Sequence, residues 1–368
     1  MTFLISLMSF MFGSSFALDV PFPALSGQFA VTSQTIVLKD HSRTDVMSKY
    51  GDKSPECSAN ENFRRIPLTI YAPTNTHDHR PNKYLPKVLT QFMGLPENMA
   101  SIEKRSFEMN EFTVLEKPKA VIFFSPGLGI SSLFYTALLE EVASHGYLIF
   151  AFSHPYMSGN VYDATKNCIV PMIDLPIERN PLVKLLGEMI EENIKDFSFV
   201  RNFLSKYKID MKKFFMMGHS GGGMSATYYC DKFDSNCTGV INLDGGDING
   251  IGIEVDGAWP VDKKLSFLKI HSASFPNLDR IQDRDFGEDQ YLVDIKRIDH
   301  QTFSDKAFFP GMVGHEGDDL LAPFLSQLLI NEHVLSFLKA RSSSKQRPIE
   351  WPSFDNEINK LFTKRHLK

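Results

Sequence analysis

The pentapeptide at residues 218–222 is GHSGG, which fits the pattern G-x-S-x-G. A serine in this pattern acts as a nucleophile when it occupies a sharp turn between a buried strand and a helix, because the turn exposes its hydroxyl. The mostly apolar residues 213–217, KFFMM, predict such a strand, and residues 223–229 can continue as a helix. Glycines on both sides let the strand and the helix approach closely. The sequence therefore predicts that Ser220 is a nucleophile, and the alternative is an ordinary glycine turn.

A serine hydroxyl also needs a base to remove its proton and an acid to orient that base. In this strand–turn–helix arrangement the acid and then the base follow the serine, each after a later strand. Asp244 follows the strand predicted at residues 239–243, and Asp247 is the alternative acid. His300 opens a loop after the strand predicted at residues 291–295. We therefore expect Asp244 to be the acid and His300 the base.

Four other histidines are weaker candidates. His271 follows a strand but precedes a further predicted strand, and His315 lies in a glycine-rich loop. His333 falls within the last predicted helix, where a position at the surface is expected. His154 follows an early strand, and we expect it at the rim of the site or as a hydrogen-bonded structural residue.

An oxyanion hole needs two backbone N–H groups directed at the oxygen that becomes negatively charged. Gly221, the residue after the nucleophile, supplies one candidate. The second is expected from residues 125–129, SPGLG, which follow a predicted strand. Leu128 is the expected donor, because Pro126 has no N–H. The alternative is a turn that donates nothing.

The remaining pattern is an alternation of strands and helices. Further buried strands are predicted at residues 120–124, 147–152 and 265–270, and helices at 133–144, 181–207 and 320–340. Residues 65–73 predict an edge-type strand, and residues 18–62 are interpreted as a weakly periodic N-terminal extension. Continuous apolar strands separated by helices predict a mostly parallel sheet with helices on both faces. With the G-x-S-x-G turn, this predicts an α/β-hydrolase fold in a single domain over residues 18–368.

The N-terminus and the cysteines favour export. Residues 1–17 form an apolar stretch that ends in small residues, which predicts a signal peptide cleaved after Ala17, although no Lys or Arg precedes it. A membrane anchor is the alternative, for which the stretch is short. We expect a secreted or periplasmic protein.

Four cysteines agree with export. Cys230 and Cys237 lie seven residues apart, where a local disulfide is plausible, and Cys57 then pairs with Cys168 only by elimination. The alternative is four free thiols in a cytoplasmic protein.

The charge and the motifs of the sequence argue against several classes of binding partner. The net charge of −5 gives no basic footprint, so nucleic acid is not expected. The histidines and cysteines lack metal-binding spacing, and the chain has neither a phosphate loop nor a dinucleotide fingerprint. We therefore expect no metal and no cofactor.

Four blocks of the sequence resemble the platelet-activating-factor acetylhydrolases of the plasma, lipoprotein-associated type, with a microbial-like character. The blocks are FSPGLG at 124–129, ASHGY at 143–147, GHSGG at 218–222 and HQTFSD at 300–305, and the resemblance covers about residues 63–310. It implies a serine-dependent phospholipase with Ser220, Asp244 and His300 as triad and Leu128 and Gly221 as oxyanion donors.

The sequence also departs from this family. Pro126 stands where the family usually has His, and Gly221 where it usually has Phe. The resemblance implies hydrolysis of the sn-2 ester of phospholipids with a short or oxidised acyl chain, and transient contact with a lipid surface is left open. The alternatives are a lipase, a polyester hydrolase or a general carboxylesterase, with residues 155–180 or 248–262 as a lid, and an inactive hydrolase-fold binding protein.

Overall fold

Six parallel strands form the centre of one mixed sheet. The computed structural model describes residues 22–51, 57, 63–76, 80–109, 117–207, 209–246, 264–272, 288–309, 320–343 and 347–367. The predicted signal peptide, the alternative acid Asp247, His315 and the lid candidate 248–262 lie outside the described residues.

The strands are β1 (Ala30–Asp40), β2 (Arg64–Thr74), β3 (Pro81–Lys83), β4 (Glu103–Glu108), β5 (Val121–Ser125), β6 (Leu148–Phe152), β7 (Val161–Asp163), β8 (Cys168–Val170), β9 (Phe214–His219), β10 (Cys237–Leu243), β11 (Ser266–Ser272), β12 (Gln290–Ile295) and β13 (Phe362–Leu367). The α-helices are α1 (Lys87–Phe92), α2 (Thr136–Ser144), α3 (Arg179–Ser205), α4 (Gly221–Lys232), α5 (Pro323–Ser342) and α6 (Asn356–Asn359). Short 3-10 helices cover Val46–Tyr50, Glu97–Ser101, Ser132–Tyr135, His300–Phe303 and Asp305–Phe308.

The large sheet has the order β13-β12-β11-β10-β9-β5-β6-β2-β1-β4-β3, and β7 and β8 form a separate hairpin. Strands β6, β5, β9, β10, β11 and β12 are parallel, while β2 and β13 flank them as antiparallel neighbours. Parallel strands end on the same edge of a sheet, so the residues that follow β5, β9, β10 and β12 are brought to one edge.

The two faces of the sheet carry different helices. Alternate residues of β5 point to opposite faces: Phe124 packs in a cluster with residues of α2 and α5, and Phe123 in a cluster with residues of α3 and α4. The prediction of a mostly parallel sheet covered on both faces is confirmed.

Two predictions for the N-terminal part are wrong. Residues 18–62 contain the long strand β1, and β2 is not an edge strand but lies between β1 and β6. The signal in β1 is weak because its buried positions are partly polar. Ser33 is buried with its hydroxyl 2.7 Å from that of Ser106, and Thr32 donates to the carbonyl of Ala72 over 3.4 Å.

The structure contains both expected disulfides. Cys57 is bonded to Cys168 at the start of β8, and Cys230 near the end of α4 is bonded to Cys237 at the start of β10. No helix among the described residues is long and apolar enough to cross a membrane.

The turn between β9 and α4 depends on very close packing against β5. A Cβ atom on Gly222 would overlap the backbone carbonyls of Ser125 and Pro126, whereas one on Gly221 would lie 3.9 Å from its nearest neighbour, Leu128. Backbone atoms of a central strand cannot yield as the end of a side chain can.

We therefore expect Gly222→Ala to lower the free energy of unfolding by about 2 kcal/mol or more, while the neighbouring Gly221→Ala changes it by less than about 1 kcal/mol. Urea denaturation of the two variants tests this. Equal stabilities would contradict the packing argument.

Candidate active site

Ser220 occupies a strained turn between β9 and α4. Its φ of 52° and ψ of −125° lie in a region that residues with a side chain rarely adopt. The Ser220 N–H donates to the carbonyl of Leu243 at the end of β10 over 2.9 Å, and the Ser220 carbonyl accepts from the N–H of Met224 over 3.1 Å. These bonds fix the turn to the neighbouring strand and to the first turn of the helix.

His300 bridges Ser220 and Asp244. Its Nε2 lies 2.9 Å from the Ser220 hydroxyl oxygen, and its Nδ1 lies 2.7 Å from Oδ2 of Asp244. An ionised carboxylate only accepts hydrogen bonds, so Nδ1 carries the proton and Nε2 presents its lone pair to the serine hydroxyl. This is the geometry in which an imidazole can remove the proton of a serine.

Asp244 is buried and held as a carboxylate. Burial by itself raises the pKa of this carboxyl, but hydrogen bonds from His300 and Ser272 outweigh burial and leave the pKa below its usual value. Ser272, the last residue of β11, donates its N–H over 2.8 Å and its hydroxyl over 2.7 Å. The ends of two neighbouring strands thus orient this carboxylate: Asp244 follows β10, and Ser272 at the end of β11 binds it.

A capped turn positions His300. The Asp299 carboxylate accepts a hydrogen bond from the Thr302 N–H over 2.8 Å, and the Thr302 hydroxyl oxygen accepts one from the Asp299 N–H over 3.1 Å. The 3-10 helix His300–Phe303 therefore has a reciprocal cap. The backbone that carries the imidazole is therefore held in a capped turn rather than in an open loop.

Asp305 anchors the next short turn, a role that sequence reasoning missed. Its carboxyl accepts the N–H groups of Thr136 over 2.6 Å and Ala137 over 2.9 Å at the start of α2, and the Tyr84 hydroxyl over 3.2 Å. Burial raises the pKa of Asp305 to about 7. The block HQTFSD therefore contains both His300 and the residue that ties its loop to a helix N-terminus.

The N–H groups of the loop after β5 are almost all occupied. Gly127 donates to the Tyr135 hydroxyl over 3.0 Å, and Gly129 donates to the carbonyl of Met157 over 2.9 Å. Within the described part of the chain, Leu128 N–H has no hydrogen-bond partner. A Cβ on Gly221 would lie 3.9 Å from the Leu128 nitrogen, so the first N–H of α4 and the Leu128 N–H are neighbours beside Ser220. This pair is suited to stabilise an oxyanion.

Tyr135 also links this loop to the histidine of the pentapeptide. Its hydroxyl lies 2.8 Å from Nδ1 of His219, and the His219 ring lies 4.5 Å from that of His300 between centroids. Burial, together with the charge of His300, lowers the pKa of His219 to about 3. His219 is therefore neutral and places no competing charge next to His300.

A pocket of about 190 Å³ opens beside Ser220. Its apolar lining comes from the loop after β5, the loop after β6, α3 and α4; the residues are Leu128, Met157, Leu186, Met189, Ile190 and Met224. Asn193, Ser225 and Asp244 add polar atoms, and the described lining contains no Lys or Arg. No group of three or more His, Cys, Asp and Glu suited to a metal ion occurs among the described residues.

Among the described residues, the other candidate histidines contact groups other than Ser220. His271 lies beside Asp244, with Nε2 3.8 Å from Oδ1 and Nδ1 3.3 Å from Asp294. The expectation that His333 lies at the surface is wrong: its side chain is fully buried, with Nδ1 2.7 Å from the carbonyl of Leu329, because α5 is packed on most of its circumference. His154 is buried and hydrogen-bonded rather than at the rim.

Comparisons with known proteins bear on the family resemblance and on the fold. A family model described as platelet-activating factor acetylhydrolase, isoform II, matches residues 15–168. The resemblance to this family is confirmed over that segment. It includes Leu128 but ends before Ser220. No curated protein matches the chain.

Among solved structures, a ferulic acid esterase from Streptomyces cinnamoneus superposes with a TM-score of 0.72 at 20% sequence identity, covering 93% of this chain and 98% of that chain. This similarity confirms the α/β-hydrolase fold. The family match and the fold together support a serine ester hydrolase.

The buried His219 predicts a pH dependence of stability. The unfolded chain binds a proton at histidine near pH 6.5, whereas folded His219 takes one only near pH 3. Its contribution to stability is therefore complete above pH 6.5 and is lost as the pH falls toward 3. The expected slope is about 1.4 kcal/mol per pH unit.

In His219→Gln this part of the slope should disappear. Chemical denaturation at several pH values between 4 and 7 measures it. Parallel stability curves for the parent and the variant would show that His219 is not the group responsible.

Proposed function

We propose that the protein is a serine-dependent carboxylic ester hydrolase in which Ser220 is the nucleophile, His300 the base and Asp244 the acid. The observation that carries the proposal is the continuous hydrogen-bonded chain from Asp244 through His300 to Ser220 at the mouth of an apolar pocket. Its spacing matches the distances over which such groups exchange protons.

In the acylation step the Ser220 oxygen bonds to the ester carbonyl carbon while Nε2 of His300 takes the serine proton. The carbonyl oxygen becomes negatively charged and receives hydrogen bonds from the N–H groups of Leu128 and Gly221. When the tetrahedral intermediate collapses, the bond to the alcohol oxygen breaks and His300 gives that oxygen its proton. Asp244 stabilises the transient imidazolium and keeps the required tautomer.

Deacylation repeats these steps with water. His300 removes a proton from the water molecule as its oxygen attacks the acyl carbon, and the bond to Ser220 then breaks. The Ser220 oxygen recovers its proton from His300, and the carboxylic acid leaves. The net reaction is hydrolysis of one ester to an acid and an alcohol, and it needs no further reactant.

The pocket favours a short acyl group. Its lining is apolar and its volume is about 190 Å³, and a dry cavity of about 150 Å³ in another protein accepts benzene. An acyl chain of roughly six carbons is therefore accommodated without rearrangement of α3. We propose the sn-2 ester of a phospholipid with a short or oxidised acyl chain as the substrate, in line with the family resemblance.

A general carboxylesterase is the second candidate, and one observation favours it. The described pocket lining has no Lys or Arg to bind a phosphate group. The similar solved structure is named as a ferulic acid esterase, and an aromatic acid is within the size range of this pocket.

We also propose that the chain is exported, with residues 1–17 as a signal peptide and residues 18–368 as one domain. The two disulfides support an oxidising compartment. Transient contact with a lipid surface is compatible with the exposed side chains of Leu175 and Ile177, which precede the pocket-lining helix α3.

Replacement of the nucleophile is the direct test of the mechanism. We expect Ser220→Ala to lower kcat/KM for p-nitrophenyl acetate by about 10⁴-fold or more, and a fluorophosphonate to label the parent at Ser220 only. His300→Ala should cause a comparable loss and His271→Ala a much smaller one. A larger loss at His271 would overturn the assignment of the base, and undiminished turnover in Ser220→Ala would overturn the mechanism.

A second prediction concerns the acyl group. A phenylalanine at position 221 keeps the backbone N–H but fills space beside the oxyanion donors. We expect Gly221→Phe to lower hydrolysis of octanoyl relative to acetyl p-nitrophenyl esters by about tenfold, since one or two excluded methylenes are worth ~1–3 kcal/mol. Met189→Ala should shift the preference the opposite way. Unchanged chain-length profiles in both variants would show that the acyl chain lies elsewhere.

A further inference from the structure

The protein contains a second hydrogen-bonded chain of serine, histidine and aspartate side chains, which is buried in its interior. The Ser125 hydroxyl oxygen is 3.1 Å from Nε2 of His154, and Nδ1 of His154 is 2.9 Å from Oδ2 of Asp196. The corresponding distances at the pocket are 2.9 Å between the Ser220 hydroxyl oxygen and Nε2 of His300, and 2.7 Å between Nδ1 of His300 and Oδ2 of Asp244. Ser125, His154 and Asp196 are at most 1% exposed. No substrate can reach this serine, so the second chain does not serve as a second nucleophilic site.

Two arginines fix the charge of Asp196. Arg64 donates to Oδ2 over 2.7 Å and Arg43 donates to Oδ1 over 2.7 Å. Burial alone would raise the pKa of Asp196, but the charge of Arg64 and the hydrogen bonds from His154 and Arg64 outweigh burial and hold the pKa well below its usual range. Asp196 is therefore an ionised acceptor.

The charge of Asp196 sets the direction of each hydrogen bond. Because Asp196 accepts, Nδ1 of His154 carries the proton and Nε2 is an acceptor. Burial lowers the pKa of His154, so the ring stays neutral. The Ser125 hydroxyl must then donate to Nε2. A side chain at the end of β5 is thus held in one orientation by a charge on α3.

The position of Ser125 relates this chain to the reaction. Ser125 is the last residue of β5, and the loop that follows contains the expected oxyanion donor Leu128 three residues later. Gly127 and Gly129 are tied to Tyr135 and Met157. Ser125 therefore stands directly before the loop. Within residues 126–129, Leu128 carries the only N–H that has no partner among the described residues.

We propose that His154 is a positioning residue for the oxyanion hole: through the hydroxyl of Ser125 it holds the start of the loop at residues 126–129 so that Leu128 N–H faces Ser220. His154 does not touch the substrate. This inference rests on the proposed function, because it assigns a task in the hydrolysis of an ester at Ser220.

The Ser125→Ala variant removes the connection and leaves His154, Asp196 and both arginines in place. We expect kcat for p-nitrophenyl acetate to fall by about tenfold or more, up to the 10²–10³-fold loss seen when an oxyanion donor is removed. KM should change less than twofold, because the acyl pocket is untouched. The apparent pKa of the kcat/KM profile should stay unchanged, because the bonds of His300 are intact.

A reversible trifluoromethyl ketone inhibitor adds to the active serine as a tetrahedral adduct, so it reports on the oxyanion hole. Its inhibition constant should rise in Ser125→Ala by about the factor by which kcat/KM falls. Hydrogen exchange in the peptide that contains residues 126–130 should become faster. His154→Gln should give a loss of the same kind, and the double variant should lose no more than the larger single loss, because both changes break one path.

Ser106→Ala is the matched control, since it also deletes a fully buried hydroxyl whose partner is a side chain. It lies on β4, four strands away from β5 in the sheet. We expect Ser106→Ala to lower the melting temperature about as much as Ser125→Ala without changing kcat, inhibitor binding or exchange at residues 126–130. Equal effects of the two variants on kcat would reduce the second chain to a purely structural element and overturn the proposal.

The same series separates this inference from the proposed function. If the parent neither hydrolyses esters nor reacts with a fluorophosphonate, the proposed function fails and the inference fails with it. If the parent is active, Ser220→Ala is inactive, and Ser125→Ala matches the parent in kcat, inhibitor constant and hydrogen exchange, only the inference fails.

Discussion

The backbone of Ser220 adopts a conformation that residues with a side chain rarely take, and the site depends on it. The strain is maintained because the turn is bonded to Leu243 on one side and continues into α4 on the other. Close contact between Gly222 and the carbonyls of Ser125 and Pro126 leaves the turn no room to relax. The same contact brings the first N–H of α4 next to the loop after β5. One packing constraint thus positions both Ser220, the proposed nucleophile, and the proposed oxyanion donors.

The order of parallel strands explains how much of this was predictable from sequence. Asp244 and His300 follow strands whose apolar stretches are evident, and parallel strands deliver such residues to one edge. The motif and this rule were therefore enough to predict that Asp244 and His300 lie near Ser220. Strand β1 escaped detection because its buried hydroxyls pair with other strands, and no local pattern reports a partner 73 residues away, as between Ser33 and Ser106.

The histidines show the same limit. The buried state of His333 depends on the packing of a whole helix, and the state of His154 on a carboxylate 42 residues away. The sequence reveals that a histidine follows a strand but not what faces it. Asp305 was visible within a recognised block, yet its task of binding the start of α2 required the tertiary structure.

The two serine–histidine–aspartate chains have nearly the same hydrogen-bond distances and different surroundings. Ser220 borders a pocket, whereas Ser125 is fully enclosed. Besides His300, Asp244 accepts hydrogen bonds from the uncharged Ser272. Besides His154, Asp196 accepts hydrogen bonds from two guanidinium groups. A carboxylate already neutralised by two cations has less electrostatic reason to stabilise a further positive charge on its histidine. The buried network of Ser125, His154 and Asp196 is therefore suited to orient a hydroxyl. The network that contains Ser220 is suited to accept a proton, although both are built from the same three residue types.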